Sequence, residues 1–281
     1  MEHPTKLSKE IYNNFLRFDF MNLSLEGKHA IICGSTQGIG LAIAAELALL
    51  GASCTLIARN EEKLKDAIKT LAVSPGQKHD YLVADFSQPE ELAAIVNAFI
   101  SRQAVHILIN NTGGPAAGPI TEAETDQFVQ AFNQHLVCNH ILTKAVIPGM
   151  KETGYGRIIN IISTSVKIPL KNLGVSNTIR GAVASWAKTM SNELGVFQIT
   201  VNNILPGFTS TQRLEEIIRN SASKSGRDAD AVSRQMMEEV PMNRFADPSE
   251  VAAVAAFLAS PAASYVNGVS IPVDGGRTGS I

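Results

Sequence analysis

The sequence has no marked excess of charge, and this absence removes several classes of function. Only 18% of its 281 residues are charged, the formal net charge is −2, and 45% of the residues are hydrophobic. A chain of this composition is neither disordered nor suited to bind the phosphate backbone of a nucleic acid. We therefore expect a small-molecule partner and no nucleic-acid partner.

Long apolar runs and cysteines are also scarce. No apolar run reaches the length that crosses a bilayer, and residues 1–20 are too polar for a secretory signal, which predicts a cytoplasmic protein without a membrane contact. Only three cysteines are present, and each lies in an apolar or helical stretch: Cys33, Cys54 and Cys138. Because no pair has metal-ligand spacing, the pattern predicts buried reduced thiols and no metal site.

The most informative stretch that is present is rich in glycine. Its residues are Gly34, Ser35, Thr36, Gln37, Gly38, Ile39 and Gly40. It joins an apolar run, His29 to Cys33, to an apolar helical pattern, Leu41 to Leu50. Glycines allow positive φ and close approach of a ligand, and the first N–H groups of a helix attract phosphate, so the stretch predicts a pyrophosphate site. A tight strand-to-helix turn without a ligand is the alternative.

Strand-like and helical patterns alternate along the rest of the chain. Further strands are expected at Ser53–Ala58, Tyr81–Ala84, Val105–Asn110, Arg157–Ile162, Thr200–Leu205 and Val269–Val273. Further helices are expected at Glu61–Leu71, Pro89–Arg102, Glu122–Met150, Ser176–Leu194 and Pro248–Ala259. Seven strands separated largely by helices predict an α/β fold, a single Rossmann-type doubly wound domain with a seven-stranded parallel sheet and ligands at its carboxyl edge.

Two segments depart from this alternation. Residues 1–24 form an N-terminal extension before a dinucleotide-binding domain at 25–281, and residues 1–20 can be a surface helix, an oligomer contact or the product of an upstream start codon. Residues 208–240 are rich in charge and follow Pro206-Gly207. We interpret this stretch as a mobile helical lid over the ligand, and a solvated helical pair without a gating role is the alternative.

With these elements in order, the chain from Leu25 to its end resembles the short-chain dehydrogenase/reductase family. The resemblance depends on the glycine turn and on motifs that follow later strands: Asp85, Asn110-Asn111-Thr112-Gly113, Ser163, Pro206-Gly207 with Thr211, and Val273-Asp274-Gly275-Gly276. It implies that Asp85 contacts adenine and that the turn Asn110 to Gly113 supports the central sheet and lies along the cofactor. It also implies that Pro206, Gly207 and the following threonine approach the nicotinamide amide. Asn110 and Asn111 can instead be structural residues that bond to their own backbone in a turn.

The end of the second strand bears on the choice of cofactor. An acidic residue there would bond to a ribose 2′-hydroxyl, but Ala58 stands in its place and is followed by Arg59 and Asn60. A guanidinium pairs with a 2′-phosphate, which predicts NADP(H). In the alternative, Arg59 only begins a solvated helix with Glu61 and Glu62. The expected cofactor set is Gly34, Ser35, Gln37, Gly38, Ile39, Gly40, Arg59, Asn60, Asp85, Phe86, Asn111, Thr112, Gly113, Arg180, Pro206, Gly207, Thr209 and Thr211.

The chain departs from the family at the catalytic positions. A typical member has a Tyr thirteen residues after its catalytic Ser and a Lys four residues later, and counting from Ser163 gives Ser176 and Arg180. The family's upstream Asn falls on His135 when Thr143 is aligned. A serine hydroxyl is a poor acid and a guanidinium does not readily exchange protons, so another acid is needed.

Several residues are candidates for that acid. His135 is expected to titrate in the right range, with a satisfied helical histidine as the alternative. Lys167 and Lys171 follow Ser163 and can approach a substrate, or can be solvated loop charges. Tyr155 precedes the fifth strand and is expected at the opposite edge of the sheet.

Two functions from different classes follow. The first is an NADP(H)-dependent oxidoreductase that interconverts a carbonyl and an alcohol, with Ser163 polarising the substrate oxygen; by overall sequence the chain is similar to 3-oxoacyl-thioester reductases. The second is a catalytically weak or inactive nucleotide-binding homologue that acts as a sensor or structural partner. The resemblance also implies a homotetramer or homodimer, for which Trp186, Ala182, Val183 and Ala187 offer an apolar surface. Packing of these residues on the sheet of the same chain is the alternative.

Overall fold

The computed structural model describes residues 21–280. The interpretations of residues 1–20 therefore lie outside the described residues. Within them, no helix combines the length and the apolar character that crossing a membrane requires.

Seven strands form a single sheet in which every pairing is parallel. They are β1 (His29–Cys33), β2 (Ser53–Ala58), β3 (Asp80–Val83), β4 (Ile107–Asn110), β5 (Gly156–Ile161), β6 (Ile199–Pro206) and β7 (Ser270–Val273). The order across the sheet is β3-β2-β1-β4-β5-β6-β7. The predicted doubly wound architecture is confirmed, and all carboxyl ends of the strands meet at one edge.

Nine α-helices connect these strands within residues 21–280. They are α1 (Gly38–Leu49), α2 (Glu61–Lys69), α3 (Pro89–Ile100), α4 (Thr125–Phe132), α5 (Cys138–Thr153), α6 (Gly174–Leu194), α7 (Gln212–Ser225), α8 (Ala229–Glu238) and α9 (Pro248–Ala259). Their ends follow local chemistry: Asn60 caps α2, Asp247 and Glu250 form a capping box on α9, and Gly154 ends α5 in the left-handed region.

The sheet separates two apolar layers because successive strand side chains point to opposite faces. One layer packs α1, α2 and α9 against residues such as Ile32 and Ile109. The other packs α3, α5 and α6 against residues such as Ile31 and Leu108. The three cysteines are free and buried in these layers, as predicted.

The helical pattern expected at Glu122–Met150 differs in detail. A 3₁₀ turn occupies Ile120–Glu122, and α4 begins at Thr125, where Glu124 and Gln127 form a capping box. Five residues, Asn133–Val137, then form a π-helical turn before α5 continues to Thr153. Such turns occur often at functional sites.

The prediction that α6 offers an apolar surface for self-association is wrong for Val183 and Ala187. Val183 is fully buried and Ala187 is 1% exposed, both inside the cores of the same chain. Trp186 packs against these cores and its Nε1 donates to His140 Nδ1 at 3.4 Å. These side chains support α6 within one chain because they face the sheet and α5.

Candidate active site

The glycine turn after β1 has the geometry that its composition predicts. Gly34 and Gly38 adopt φ values of +58° and +56°, the left-handed region that glycine tolerates. A side chain on Gly40 would overlap the carbonyl oxygen of Gly34 and the side chain of Asn111. Ser35 is buried and its Oγ donates to the carbonyl of Ile32 at 2.9 Å, which fixes the turn. Glycine is therefore required for α1 to begin against this turn.

The first turn of α1 is open to an anion. Gln37 is its N-cap residue but makes no side-chain capping bond, and the first turn, with Gly38, Ile39 and Gly40, contains no acidic residue. Its early N–H groups therefore have no side-chain cap within residues 21–280. Backbone donors and the positive end of a helix dipole suit a pyrophosphate, so these residues fit a dinucleotide.

Asn111 connects the glycine turn to the loop after β4. Its Nδ2 donates to the carbonyl oxygens of Cys33 at 3.2 Å and Gly34 at 3.1 Å. Asn110 bonds across the sheet, donating from Nδ2 to Asn160 Oδ1 at 2.9 Å. The alternative in which these asparagines bond to their own turn is wrong, because their partners lie on β5, at the end of β1 and in the glycine turn. Thr112 and the open glycine Gly113 follow them at the carboxyl edge.

Arg59 and Asp85 lie together at the same edge. Arg59 is exposed beyond β2, and Asn60 caps α2 by accepting from Lys63 N at 2.9 Å. Asp85 Oδ1 accepts from Ser87 N at 2.9 Å, which lowers the pKa of the carboxyl, and the nearby Arg59 cation lowers it further. Phe86 follows Asp85 and is half-buried.

Arg59 is not occupied by the acids of α2. Glu61 and Glu62 pair with Lys65 at 3.2 and 2.9 Å, and Arg59 forms no ion pair within the described residues. The guanidinium is therefore available to an anion, which favours the phosphate-binding interpretation of Arg59 over a solvated helix start.

The segment after β6 reaches back over the glycine turn. Gly207 N donates to Val273 O at 2.9 Å beyond Pro206, and buried Thr209 donates from Oγ1 to Gly207 O at 3.3 Å. Thr211 caps α7 by accepting from Leu214 N at 3.3 Å, and its methyl group lies against Gly38. The N-termini of α1 and α7 therefore meet at this edge.

The charged segment is helical, as predicted, and consists of α7 and α8. Arg213 at the start of α7 donates from Nη2 to the carbonyl of Pro115 at 3.1 Å. Pro115 belongs to the loop after β4, so this bond links the segment after β6 to the loop after β4. In the described conformation the charged segment therefore contacts the loop after β4 across the carboxyl edge of the sheet.

Ser163 stands directly after β5. It is half-buried and caps a 3₁₀ turn (Thr164–Val166) by accepting from Ser165 N at 3.1 Å. Ser176 is half-buried in the first turn of α6, whereas Lys167 and Lys171 are exposed on the intervening loop. Tyr155 precedes β5 and donates its hydroxyl to Ala259 O at 2.6 Å, which confirms that it lies at the opposite edge.

Arg180 is held inside the protein rather than free in the cleft. Its side chain is buried, and its Nη1 and Nη2 donate to the carbonyls of Ile161 at 3.0 Å and Thr112 at 3.4 Å. No carboxylate pairs with it in the described residues. Burial lowers the pKa of the guanidinium to about 10, so it remains a cation at neutral pH.

The expectation that His135 titrates near neutral pH is wrong. His135 lies in the π-helical turn and is 1% exposed, with Nδ1 2.6 Å from Thr112 Oγ1. Burial first and the Arg180 cation second lower the pKa of His135 to about 3, so the ring is neutral. Its buried Nε2 has no partner among the described residues. A histidine in this state is not an acid that supplies protons at neutral pH.

Two further features were missed from the sequence. Asn177, next to Ser176, holds the loop after Ser163 by donating to Leu170 O at 2.8 Å and accepting from Leu170 N at 3.4 Å. Arg277 pairs with Glu239, Nη2 to Oε2, at 2.6 Å. The position of Asn177 next to Ser176 could have marked it as a residue of the site. No local sequence pattern connects Glu239 with Arg277.

The fold and this edge define a protein of the dinucleotide-binding, Rossmann-type class. Comparison with known proteins identifies the family: a family profile described as enoyl-(acyl carrier protein) reductase matches residues 34–278. The chain belongs to the short-chain dehydrogenase/reductase family, as the resemblance predicted.

Characterised relatives are similar along nearly their whole length. The chain is 32% identical to the NADPH-dependent reductase BacG of Bacillus subtilis (strain 168) over 254 residues, 90% of this chain and 98% of BacG. It is also 32% identical to the 3-oxoacyl-[acyl-carrier-protein] reductase FabG of Pseudomonas aeruginosa over 260 residues, 90% of this chain and 98% of FabG.

A solved structure has the same fold. The L-sorbose reductase of Gluconobacter frateurii, complexed with NADPH and L-sorbose, superposes with a TM-score of 0.87 at 31% identity, covering 93% of this chain and 100% of that chain.

Proposed function

We propose that this protein is an NADP(H)-dependent oxidoreductase that interconverts a carbonyl and an alcohol with a non-standard catalytic set. One observation carries the proposal: three features lie at the same edge of the sheet. They are the uncapped N-terminus of α1, Arg59, which forms no ion pair within the described residues, and Ser163. The similarity to an NADPH-dependent reductase and to a reductase complexed with NADPH supports the same cofactor. A 3-oxoacyl thioester is one candidate substrate, by similarity to FabG.

Different residues at this edge bind different parts of the cofactor. The glycine turn and the first turn of α1 receive the pyrophosphate, Arg59 pairs with the 2′-phosphate, and Asp85 lies beside the adenine. Asn111, Gly113, Gly207 and Thr211 border the nicotinamide half. When bound, the cofactor supplies the hydride.

Ser163 is oriented to donate to the substrate oxygen. Its Oγ already accepts from Ser165 N, which leaves the hydroxyl proton free for a carbonyl or a developing alkoxide. Arg180 contributes a buried positive charge near the same edge and holds the loop at Thr112 in place. Ser176, Arg180 and neutral His135 are poor proton donors, and Lys167 and Lys171 are exposed on the loop after Ser163. We therefore assign the proton to solvent that reaches the half-buried serines.

The test is an assay of purified protein with NADPH or NADH and a panel of oxo-compounds, followed by cofactor absorbance. Turnover with NADPH is the expected result. NADPH binding without turnover of any oxo-compound would contradict the enzyme and favour the second function, an inactive nucleotide-binding homologue that acts as a sensor or structural partner. That alternative is supported by Arg180, because two of its hydrogen-bond donors already bond to backbone carbonyls and not to a substrate or cofactor.

We propose a homodimer or homotetramer in the cytoplasm, supported by exposed apolar side chains on α4, where Val129 is 57% and Phe132 42% exposed. Light scattering at micromolar concentration tests the assembly, and a monomeric mass contradicts it. The segment 208–240 is proposed as a lid that opens and closes on the Arg213–Pro115 contact.

A further inference from the structure

A cavity of about 210 Å³ opens at the 3₁₀ turn that follows Ser163. It is lined by Thr164, Ile168, Leu170, Glu239, Arg277 and Thr278. Thr164 directly follows Ser163 and belongs to the turn that Ser163 caps. At about 30 Å³ for each water in the liquid, this volume equals about seven waters, which suits a small molecule.

One wall of the cavity is polar and its charges balance. Arg277 donates from Nη2 and Nε to Glu239 Oε2 at 2.6 and 3.3 Å, and its guanidinium lies 4.0 Å from the centroid of Phe208. The Arg277 side chain is 17% exposed and that of Glu239 is 46% exposed, so the guanidinium is the shielded end of the pair. Since a carboxylate already neutralises the guanidinium, the wall selects a neutral ligand over an anion.

The same wall has unused hydrogen-bonding capacity. Within the described residues, Arg277 Nη1 and Glu239 Oε1 make no side-chain hydrogen bond with each other or with a neighbour, and the hydroxyls of Thr164 and Thr278 also make none. Asp274 fixes this wall, because its carboxylate accepts from the backbone N–H of Thr278 at 2.8 Å. The lining therefore offers both donors and acceptors, as recognition of several hydroxyl groups requires.

Two residues of the lining are apolar and lie on a loop that a helix positions. Ile168 and Leu170 belong to the loop after Ser163, and Asn177 of α6 bonds to both the N–H and the carbonyl of Leu170. A lining that combines aliphatic and polar side chains suits a molecule that carries both C–H groups and hydroxyls.

We infer that this cavity binds the substrate and that the substrate is a small, neutral, polyhydroxylated ketone or the corresponding polyol. The inference rests on the proposed function. In the reductive direction the carbonyl carbon accepts a hydride from NADPH, the oxygen takes a proton from solvent, and NADP⁺ and a secondary alcohol result. Glu239 accepts from and Arg277 donates to the remote hydroxyls.

The test compares three ketones in the NADPH assay: L-sorbose, which is neutral and polyhydroxylated; 2-hexanone, which lacks the hydroxyls; and acetoacetyl-N-acetylcysteamine, a thioester. We expect kcat/KM to be highest for L-sorbose. In Glu239→Gln, KM for L-sorbose should rise about tenfold, as loss of one bond to a charged acceptor implies, while kcat/KM for 2-hexanone stays the same. Glu238→Gln, an exposed neighbour on α8, is the matched control and should keep both values.

The outcomes separate this inference from the proposed function. A preference for 2-hexanone or the thioester, or equal effects of Glu239→Gln on all three ketones, overturns the substrate class and leaves the oxidoreductase in place. If no ketone oxidises NADPH, the oxidoreductase fails, and calorimetric titration of L-sorbose into the NADP⁺-loaded protein still decides the cavity. Binding that weakens in Glu239→Gln but not in Glu238→Gln supports it, and absence of binding overturns it.

Discussion

Arg180 on α6 donates to the carbonyl oxygen of Ile161, at the end of β5, at 3.0 Å. A second bond, at 3.4 Å, reaches Thr112 in the loop after β4. The Arg180 side chain therefore joins the end of β5 to the loop after β4. Its charge has no carboxylate partner in the described residues, so the guanidinium combines a positioning role with a positive potential for a bound anion or oxyanion.

Arg180→Met should weaken NADPH binding at least tenfold, because it removes a charged multidentate donor from a shielded site. The free energy of unfolding should change by less than about 1 kcal/mol, since two lost hydrogen bonds are offset by relief of a desolvated charge. Fluorescence titration and urea denaturation measure the two effects. Lys188→Met, exposed on the same helix, is the control. Unchanged affinity would show that Arg180 has only a structural role.

Arg59→Ala should erase most of a preference for NADPH over NADH. The exposed guanidinium forms no ion pair with the described acids of α2, and a charge-assisted bond to the 2′-phosphate is worth about 1.5–3 kcal/mol, or tenfold to over a hundredfold in Kd. Titration of both cofactors measures the preference, and Arg102→Ala at the end of α3 is the control. Equal affinities in the unmutated protein contradict the prediction.

Ser163→Ala and Ser176→Ala should differ in their effect on turnover. Ser163 is oriented by Ser165 N as a hydrogen-bond donor, so its loss should lower kcat about a hundredfold, as for other oxyanion donors. Ser176→Ala should stay within about tenfold because a serine hydroxyl is a weak acid. Steady-state kinetics with NADPH and a reducible ketone measure both. The opposite order would mean that Ser176 passes the proton.

Much of the fold follows from the sequence because its signals are local. The apolar run His29–Cys33, the glycines after it and the alternating patterns place β1, α1 and the carboxyl edge correctly. The hydrogen-bond partners of Arg180 and the pKa of His135 could not be predicted in the same way. The partners of Arg180 are backbone carbonyls 19 and 68 residues away, and no local pattern marks the π-helical turn that buries His135. Burial, not residue type, sets the pKa of His135.

Stability should fall as the pH is lowered below about 6.5. Burial first, and then His106, lower the pKa of His29 to about 4, while its Nε2 lies 2.8 Å from Thr55 Oγ1. The unfolded chain therefore takes up this proton at higher pH than the native state, and the stabilisation present above pH 6.5 is lost progressively down to about pH 4.

At pH 5, the His29 contribution to this loss should be on the order of 2 kcal/mol, at 1.36 kcal/mol for each pKa unit. Urea denaturation at pH 7.5 and pH 5 measures it, and His29→Gln should lose less stability over that range by about this amount. His140→Gln changes an exposed ring and is the control. The same pH dependence in His29→Gln and the parent would rule out His29 as the cause.

A row of hydrogen-bonded polar side chains crosses the sheet. Asn110 Nδ2 donates to Asn160 Oδ1, and Asn160 Nδ2 donates to Asn203 Oδ1, both at 2.9 Å. Asn203 Nδ2 then reaches Ser270 Oγ at 3.1 Å. Each side chain occupies the matching register position on β4, β5, β6 and β7, so the row links four neighbouring strands beneath the cleft.

Asn160→Ala should be far more costly than Ser270→Ala. The first change leaves a donor on Asn110 and an acceptor on Asn203 buried without a partner, at about 1–3 kcal/mol each, whereas the second removes one bond at the last strand of the sheet, worth about 1 kcal/mol. Urea denaturation at pH 7.5 measures both losses. Because Asn110 precedes Asn111, Asn160→Ala should also weaken NADPH binding, while Ser270→Ala should not. Similar losses for the two variants would mean that the amides are satisfied independently and do not act as a row.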